Sequence, residues 1–130
     1  MTLEKTPRIV MTPEISVVIP VYNECNLIEG LIREWGLCLQ ETGKSFELLV
    51  INDGSSDGTG RILDRLRKEI RELRVIHQLN SGHGQTIRRG YELARGNYIV
   101  QVDANGCYEP ADFPRLWEQA LHNKLVIAHR

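Results

Sequence analysis

Three short polar stretches each stand directly behind an apolar run. They are Tyr22-Asn23-Glu24 after Ile15 to Ile19, Asn52-Asp53 after Phe46 to Ile51, and Asp103-Ala-Asn105 after Tyr98 to Val102. Carboxylates gathered from such stretches accept hydrogen bonds from the N–H and O–H groups of a base or ribose, and they hold a divalent cation that neutralises phosphates. The plain alternative is that each Asp caps a turn or a helix, as Asx residues often do. For Asp57, which stands ahead of an amphipathic stretch, capping is the reading adopted. For Asp53 and Asp103, acids at several strand ends on one edge favour a site. His83 lies between Gly82 and Gly84 at a helix start, where it either donates to a phosphate or is an exposed turn histidine; both readings stay open. Cys107 reads as a buried or half-buried loop thiol in preference to a soft metal ligand.

Convergence requires parallel strands. Ile15 to Ile19 is a nearly continuous apolar run ended by Pro20, and Phe46 to Ile51 repeats the signal. Leu73 to His77 is a third, shorter strand, and Tyr98 to Val102, opened by Gly96, reads as a fourth that is buried. Helical periods lie between them. Leu27, Ile28, Leu31, Ile32, Trp35 and Leu39 form one stripe in a helix that starts at Asn23 or Glu24 and ends at Gly43. Ile62, Leu63, Leu66 and Ile70 form a second stripe, and a third helix follows the Asn80 to Gly84 turn and runs to about Ala94. A fourth begins near Ala111 with Phe113, Leu116, Trp117, Ala120 and Leu121 apolar, and Leu125 to Ala128 reads as a further strand. Helices of this length between strands impose parallel pairing and right-handed crossovers. The expected class is therefore α/β, a mostly parallel Rossmann-like sheet with helices on both faces. In open α/β sheets ligands bind outside the carboxyl ends of the strands, beside helix N-termini. Met1 to Glu14 is read as a flexible lead-in, and 15–130 as one domain.

Composition narrows the classes of function. Against 17 Asp plus Glu stand 16 Lys plus Arg, a net charge of −1, so no general field attracts nucleic acid or anionic lipid and an anion must be held by local geometry. Arg61, Arg65, Arg67 and Lys68 read as the solvated face of the second helix. The 3 cysteines lack a CxxC pattern, which argues against a disulfide framework or zinc site and fits a reducing cytosol; Cys25 and Cys38 read as small apolar helix residues. No apolar run approaches the roughly 20 residues of a spanning helix. A dinucleotide-binding loop needs glycines after the first strand, where this chain has Pro20-Val-Tyr-Asn-Glu24; Gly82-His-Gly84 comes too late, and a Walker A lysine loop is absent. A phospho-acceptor receiver would want acids after its first and third strands, and His77 stands near the end of the third.

Four motifs carry a resemblance. Val17 to Glu24 (VVIPVYNE), Val50 to Thr59 (VINDGSSDGT), Asn80 to Gly84 (NSGHG) with Gly90, and Gly96 to Asn105 (GNYIVQVDAN) resemble family 2 glycosyltransferases of the GT-A fold, and among these the dolichol-phosphate mannosyltransferase type. They occur in the family's order and spacing and cover nearly the whole chain from Ile15 onward. The resemblance implies a nucleoside-diphosphate-sugar site in which Pro20, Tyr22 and Glu24 line the nucleotide pocket and Asp53 contacts the base or ribose. It implies that Asp103 is the first acid of an Asp-x-Asp motif binding Mg²⁺ or Mn²⁺ on the diphosphate, with Asn105 in the place of the second. The metal would then be a Lewis acid on the leaving diphosphate while an acceptor oxygen attacks the anomeric carbon with inversion. In the branch with a lipid phosphate acceptor that phosphate can be its own nucleophile, which implies a cytoplasmic protein peripheral to the inner face of a membrane.

Asn105 weakens the expected metal site, and Cys107 stands where close relatives often carry Gln. Relatives also continue well past Leu125 to Arg130, so the chain is expected to hold the donor half without the acceptor half, and no catalytic residue is assigned. The competing expectations are a catalytically silent nucleotide-sugar-binding or regulatory module, and an incomplete fragment whose exposed sheet edge pairs with another copy or a partner.

Overall fold

The computed structural model of the chain describes residues 12–104 and 110–120. Strands β1 (Ile15–Val21), β2 (Phe46–Asp53), β3 (Leu73–Gln78) and β4 (Tyr98–Gln101) form one sheet in the order β3-β2-β1-β4, with every pair parallel. Helices α1 (Ile28–Gln40), α2 (Thr59–Glu69) and α3 (His83–Leu93) connect them, and a 3-10 turn at Pro110–Asp112 leads into α4 (Phe113–Ala120).

β1 and β2 read as continuous apolar runs because both faces are covered; β4, expected to be buried, is instead partly exposed, with Ile99 open to solvent, because it stands at the edge of the described sheet. Ile15, Val17, Ile19 and Val21 of β1, with Leu48, Val50, Leu73 and Val75, pack in one core with the buried residues of α1, α2 and α4. Val18, Leu49 and Ile51 point the other way, toward Leu93 and Ala94 at the end of α3. Helices therefore lie on both faces, as expected. Trp35 of α1, Phe113 and Trp117 of α4 and Tyr98 of β4 form an aromatic chain, with Trp35 edge-on to Phe113 at 5.5 Å, Phe113 stacked on Trp117 at 6.2 Å and Trp117 edge-on to Tyr98 at 4.9 Å. Such pairs add about 0.5–1.5 kcal/mol each beyond area burial.

On the α3 side the approach is closer. A Cβ at Gly90 would drive into Val18 Cγ1, so the helix lies on β1 through a bare backbone. Gly90→Ala is expected to destabilise by about 1–2 kcal/mol, the overpacking cost outweighing alanine's better helix propensity. A thermal melt checks this, and a variant as stable as the native chain would mean that α3 can shift off the sheet freely.

Several boundaries differ from expectation. Pro20 does not end β1, which continues to Val21. Val102 N donates to Val18 O, so Val18, and with it Pro20 two residues on, direct their backbone groups toward the β4 side. β4 has ended at Gln101, paired with Val18, and a proline that lacks an N–H costs no ladder bond there. β2 runs through Asn52 and Asp53, placing both within the strand. Helix α1 starts at Ile28, not at Asn23 or Glu24, because Asn23 adopts φ 53° and the turn Cys25–Leu27 intervenes, with Glu24 O accepting from Leu27 N and Ile28 N. Cys25 is therefore a turn residue. Cys38 does lie in α1, its thiol 2.9 Å from Pro110 O, and burial pushes that thiol up. Glu14, at the end of the expected lead-in, is already tied down, its N–H donating to Ser45 O and its carbonyl accepting from Tyr98 N. Residues 1–11, the expected strand from Leu125 to Ala128, Asn105 and Cys107 lie outside the described residues.

Candidate functional site

Order β3-β2-β1-β4 sends the connection after β1 to one side and brings β4 in on the other, which opens a crevice at the carboxyl edge between β1 and β4. The loops after β1 and β2 form one wall of this edge. Asn23 N donates to Ser55 Oγ at 2.9 Å and Ser56 N to Asn23 Oδ1 at 2.8 Å. Glu24 N donates to Thr59 Oγ1 at 3.0 Å and Cys25 N to Asp57 Oδ2 at 3.2 Å. These bonds hold Asn23 in the left-handed region that asparagine tolerates better than most residues. They also present Tyr22, half-exposed, and Glu24, partly buried, at the rim.

The N-cap position of α2 is taken by Gly58, in the left-handed region at φ 98°, and not by Asp57 as expected; Asp57, one residue earlier, ties the two loops together. Its Oδ1 accepts from Thr59 N and Thr59 Oγ1 at the start of α2, while Oδ2 crosses to the other loop. The Thr59 hydroxyl and the backbone N–H groups hold its carboxyl down at about 2.

Strand alternation sends Asn52 and Asp53 to opposite faces. Asp53 faces α3 and is buried, with Oδ1 accepting from Gln78 Nε2 (2.9 Å), Ser81 N (2.8 Å) and Ser81 Oγ (3.2 Å) and Oδ2 from Gly82 N (3.1 Å). Burial pushes this carboxyl up, but the bonds from Gln78, Ser81 and Gly82 outweigh it and leave it below the usual range. Gly54 follows at φ 74°, and a Cβ there would stand 2.6 Å from Asn80 N, so both the backbone angle and the close approach call for glycine. Asp53 thus fixes the entry of α3. An ionised carboxylate has about four acceptor sites, and those of Asp53 are turned to the strand end and the first residues before α3.

Asp103 lies just beyond β4 on the same face as Asp53. Its Oδ1 accepts from Gln101 Nε2 at 3.3 Å and stands 3.7 Å from His83 Nε2, in the first turn of α3. His83 is an exposed side chain facing an acid. The edge therefore gathers Pro20 at the end of β1, the Tyr22 to Glu24 loop, Asp53 and Asp103, with the first turn of α3 beside both acids. Among the described residues no group of three or more His, Cys, Asp or Glu could hold a metal ion. Asp103 as a single hard oxygen donor suits Mg²⁺ or Mn²⁺ shared with ligand phosphates, since Mg²⁺ in particular usually takes one or two carboxylates plus phosphate oxygens.

The polar residues that build this edge, Ser55, Thr59, Gln78 and Ser81, carry no periodic signal; only Asn, Asp and Gly clustered behind strands mark them as turn chemistry.

The chain is similar to known proteins in sequence and in fold. The model of the family described as Glycosyl transferase family 2 matches residues 16–130. An uncharacterized glycosyltransferase of Bacillus subtilis, EpsJ, is 37% identical over 117 residues, covering 90% of this chain and 33% of its own length. An undecaprenyl-phosphate 4-deoxy-4-formamido-L-arabinose transferase of Pseudomonas aeruginosa is 35% identical over 115 residues, covering 87% of this chain and 34% of its own. The structure of glucosyl-3-phosphoglycerate synthase from Mycobacterium tuberculosis with Mn²⁺, uridine-diphosphate and phosphoglyceric acid superposes with a TM-score of 0.65 at 26% identity, over 86% of this chain and 40% of that one. The chain spans about a third of the length of the curated relatives it matches. With its parallel sheet, strand-edge acids and family match over almost all of its length, the chain belongs to glycosyl transferase family 2.

Proposed function

We propose that this chain binds a nucleoside-diphosphate sugar together with Mg²⁺ or Mn²⁺, as the donor part of an inverting glycosyltransferase whose acceptor is a polyprenyl phosphate. The observation that carries the reading is the convergence of the Tyr22 to Glu24 loop, Asp53 and Asp103 on the edge where the strand order switches. Pro20, Tyr22 and Glu24 border the base and ribose. Asp53 holds Ser81 and Gly82 in place and contacts the base or ribose. Asp103, with Asn105 beyond it, holds the cation, and His83 faces the same position and can donate to a phosphate oxygen. When bound, the metal supplies Lewis-acid stabilisation of the leaving diphosphate. A relative that uses undecaprenyl phosphate supports the acceptor class and a working position at a membrane surface. No helix among the described residues is long and apolar enough to cross a membrane.

Calorimetric titration with UDP, GDP and their sugars, with and without Mn²⁺, tests the reading. Metal-dependent binding of one nucleotide is expected; binding of none would leave a silent member of the family. Asn105→Asp is expected to tighten the Mn²⁺-dependent affinity by one to two orders of magnitude. A unit charge pair at 4 Å is worth about 4 kcal/mol at an effective dielectric of about 20, and desolvation removes part of it. No gain would place the cation elsewhere.

A further inference from the structure

His77, at the end of β3, belongs to none of the motifs above, yet its ring has fixed partners on two elements. Asn52 Nδ2 lies 3.0 Å from His77 Nδ1, and Asp64 Oδ1 of α2 lies 2.8 Å from His77 Nε2. The Asn52 amide cannot turn freely, because its Oδ1 accepts from Ser55 N at 3.2 Å. Its N–H therefore faces Nδ1, which must be the bare acceptor nitrogen, and the ring proton sits on Nε2 toward Asp64. Ser55 in turn accepts from Asn23 N. A continuous series of hydrogen bonds thus runs from Asp64 through His77, Asn52 and Ser55 to Asn23, the left-handed residue between Tyr22 and Glu24.

We propose that His77 is a positioning residue for the loop between β1 and α1, holding it in the binding geometry when the ring is neutral and loosening it when Nδ1 gains a proton. This rests on the reading of that loop as the rim of the nucleotide pocket. A proton on Nδ1 sets an N–H against the Asn52 amide N–H. The conflict is relieved only by turning the amide over, which then sets Nδ2 against Ser55 N–H. The charged groups around the ring do not cancel this. Asp64 favours the cation but is itself shared, with Arg67 Nε 3.6 Å from its Oδ1 and Lys68 acting on it as well. From β2 the ring meets the uncharged Asn52, and from α2, besides Asp64, the bare backbone of Gly60, where a Cβ would stand 3.5 Å from His77 Cε1.

The test follows backbone amides of the isotope-labelled chain by NMR between about pH 8 and pH 5, the range in which histidines change charge, with UDP and GDP affinities measured alongside. In the native chain the Ser55 and Asn23 amides are expected to move with the His77 ring signal. Nucleotide affinity is expected to fall by about tenfold toward acid, the scale of losing one to two hydrogen bonds. His77→Asn keeps a carbonyl oxygen near the Nδ1 position and cannot titrate, so both responses should flatten with binding retained. Asn52→Asp accepts from Ser55 N and from a protonated Nδ1 together, so the pH dependence should reverse. If that variant does not fold, the His77→Asn comparison still decides the question. Ser55 and Asn23 amides indifferent to the His77 titration, or the same drift surviving in His77→Asn where His83 remains, would overturn the proposal. Amides that follow His77 in a chain binding no nucleotide at any pH would support the relay and defeat the nucleotide reading instead.

Discussion

Glu47→Ala is expected to destabilise the fold by about 3–5 kcal/mol, the range for removing one partner of a buried ion pair. Glu47 is a carboxylate in an otherwise apolar stretch of β2, with a side chain only 6% exposed. Its Oε1 accepts from Arg74 of β3 at 2.7 Å, and its Oε2 accepts from Ser16 Oγ of β1 at 2.6 Å and from Arg95 N, just after α3, at 2.7 Å. Ser16 Oγ also accepts from Gly96 N, while Arg74 reaches Leu93 O. One carboxylate thus fastens three strands to the chain that leaves α3. Without it, the part-buried Arg95 N–H loses its acceptor and the Arg74 guanidinium is left with the Leu93 carbonyl and no countercharge from Glu47.

Burial pushes the Glu47 carboxyl up, but the bonds from Ser16, Arg95 and Arg74 outweigh it and leave it below the ordinary range. A carboxyl lowered by folding contributes stability that is full above its unfolded value of about 4.3 and is lost as pH falls through the folded value. Urea unfolding at pH 7 should therefore separate Glu47→Ala widely from the native chain, and the gap should narrow in acid. A gap that stayed constant with pH would mean that packing, not charge, holds this corner. Glu47→Gln should fall between, because its amide N–H₂ must face either Arg74 or the Ser16 and Arg95 donors.

The second large effect is expected at Asp53. Asp53→Ala leaves Ser81 N and Gly82 N without their acceptor, at about 1–3 kcal/mol for each donor that stays dry, so a loss of about 3 kcal/mol is expected. Nucleotide binding should disappear with it, with or without metal, because the entry of α3 is no longer fixed. Asp53→Asn separates the two effects. Its carbonyl still serves Gln78 and Ser81, so most of the stability should remain, while affinity drops by about tenfold or more. Unchanged affinity in a folded Asp53→Asn would exclude the carboxylate from the site.

Periodicity carried the architecture, since apolar runs behind Gly and Pro and helical stripes such as Ile28 to Leu39 depend only on local order. Asp53 and Asp103 were legible as strand-end acids for the same reason. What was illegible depends on register. Glu47 and Arg74 are 27 residues apart in sequence and meet because Leu48 pairs with Leu73. Asn52 and Asp53 are adjacent in sequence, yet they serve opposite faces, one His77 and one α3, which alternation fixes only once the strand is known to run through both. The start of α1 was misplaced for a related reason. Helical preference at Glu24 and Cys25 yields to the bonds their backbone N–H groups donate to Thr59 and Asp57, which lie more than thirty residues on.

The aromatic chain across α1, α4 and β4 has an optical consequence. Trp35 and Trp117 are the chain's 2 tryptophans, and both belong to it. Intrinsic tryptophan emission is therefore a report on one seam, which includes neither the Asn23 loop nor Asp53. Ligand binding at the strand edge that leaves the spectrum unchanged, beside a spectrum that shifts red when α4 lifts, would let one cuvette distinguish occupation of the site from loosening of the helix that follows β4.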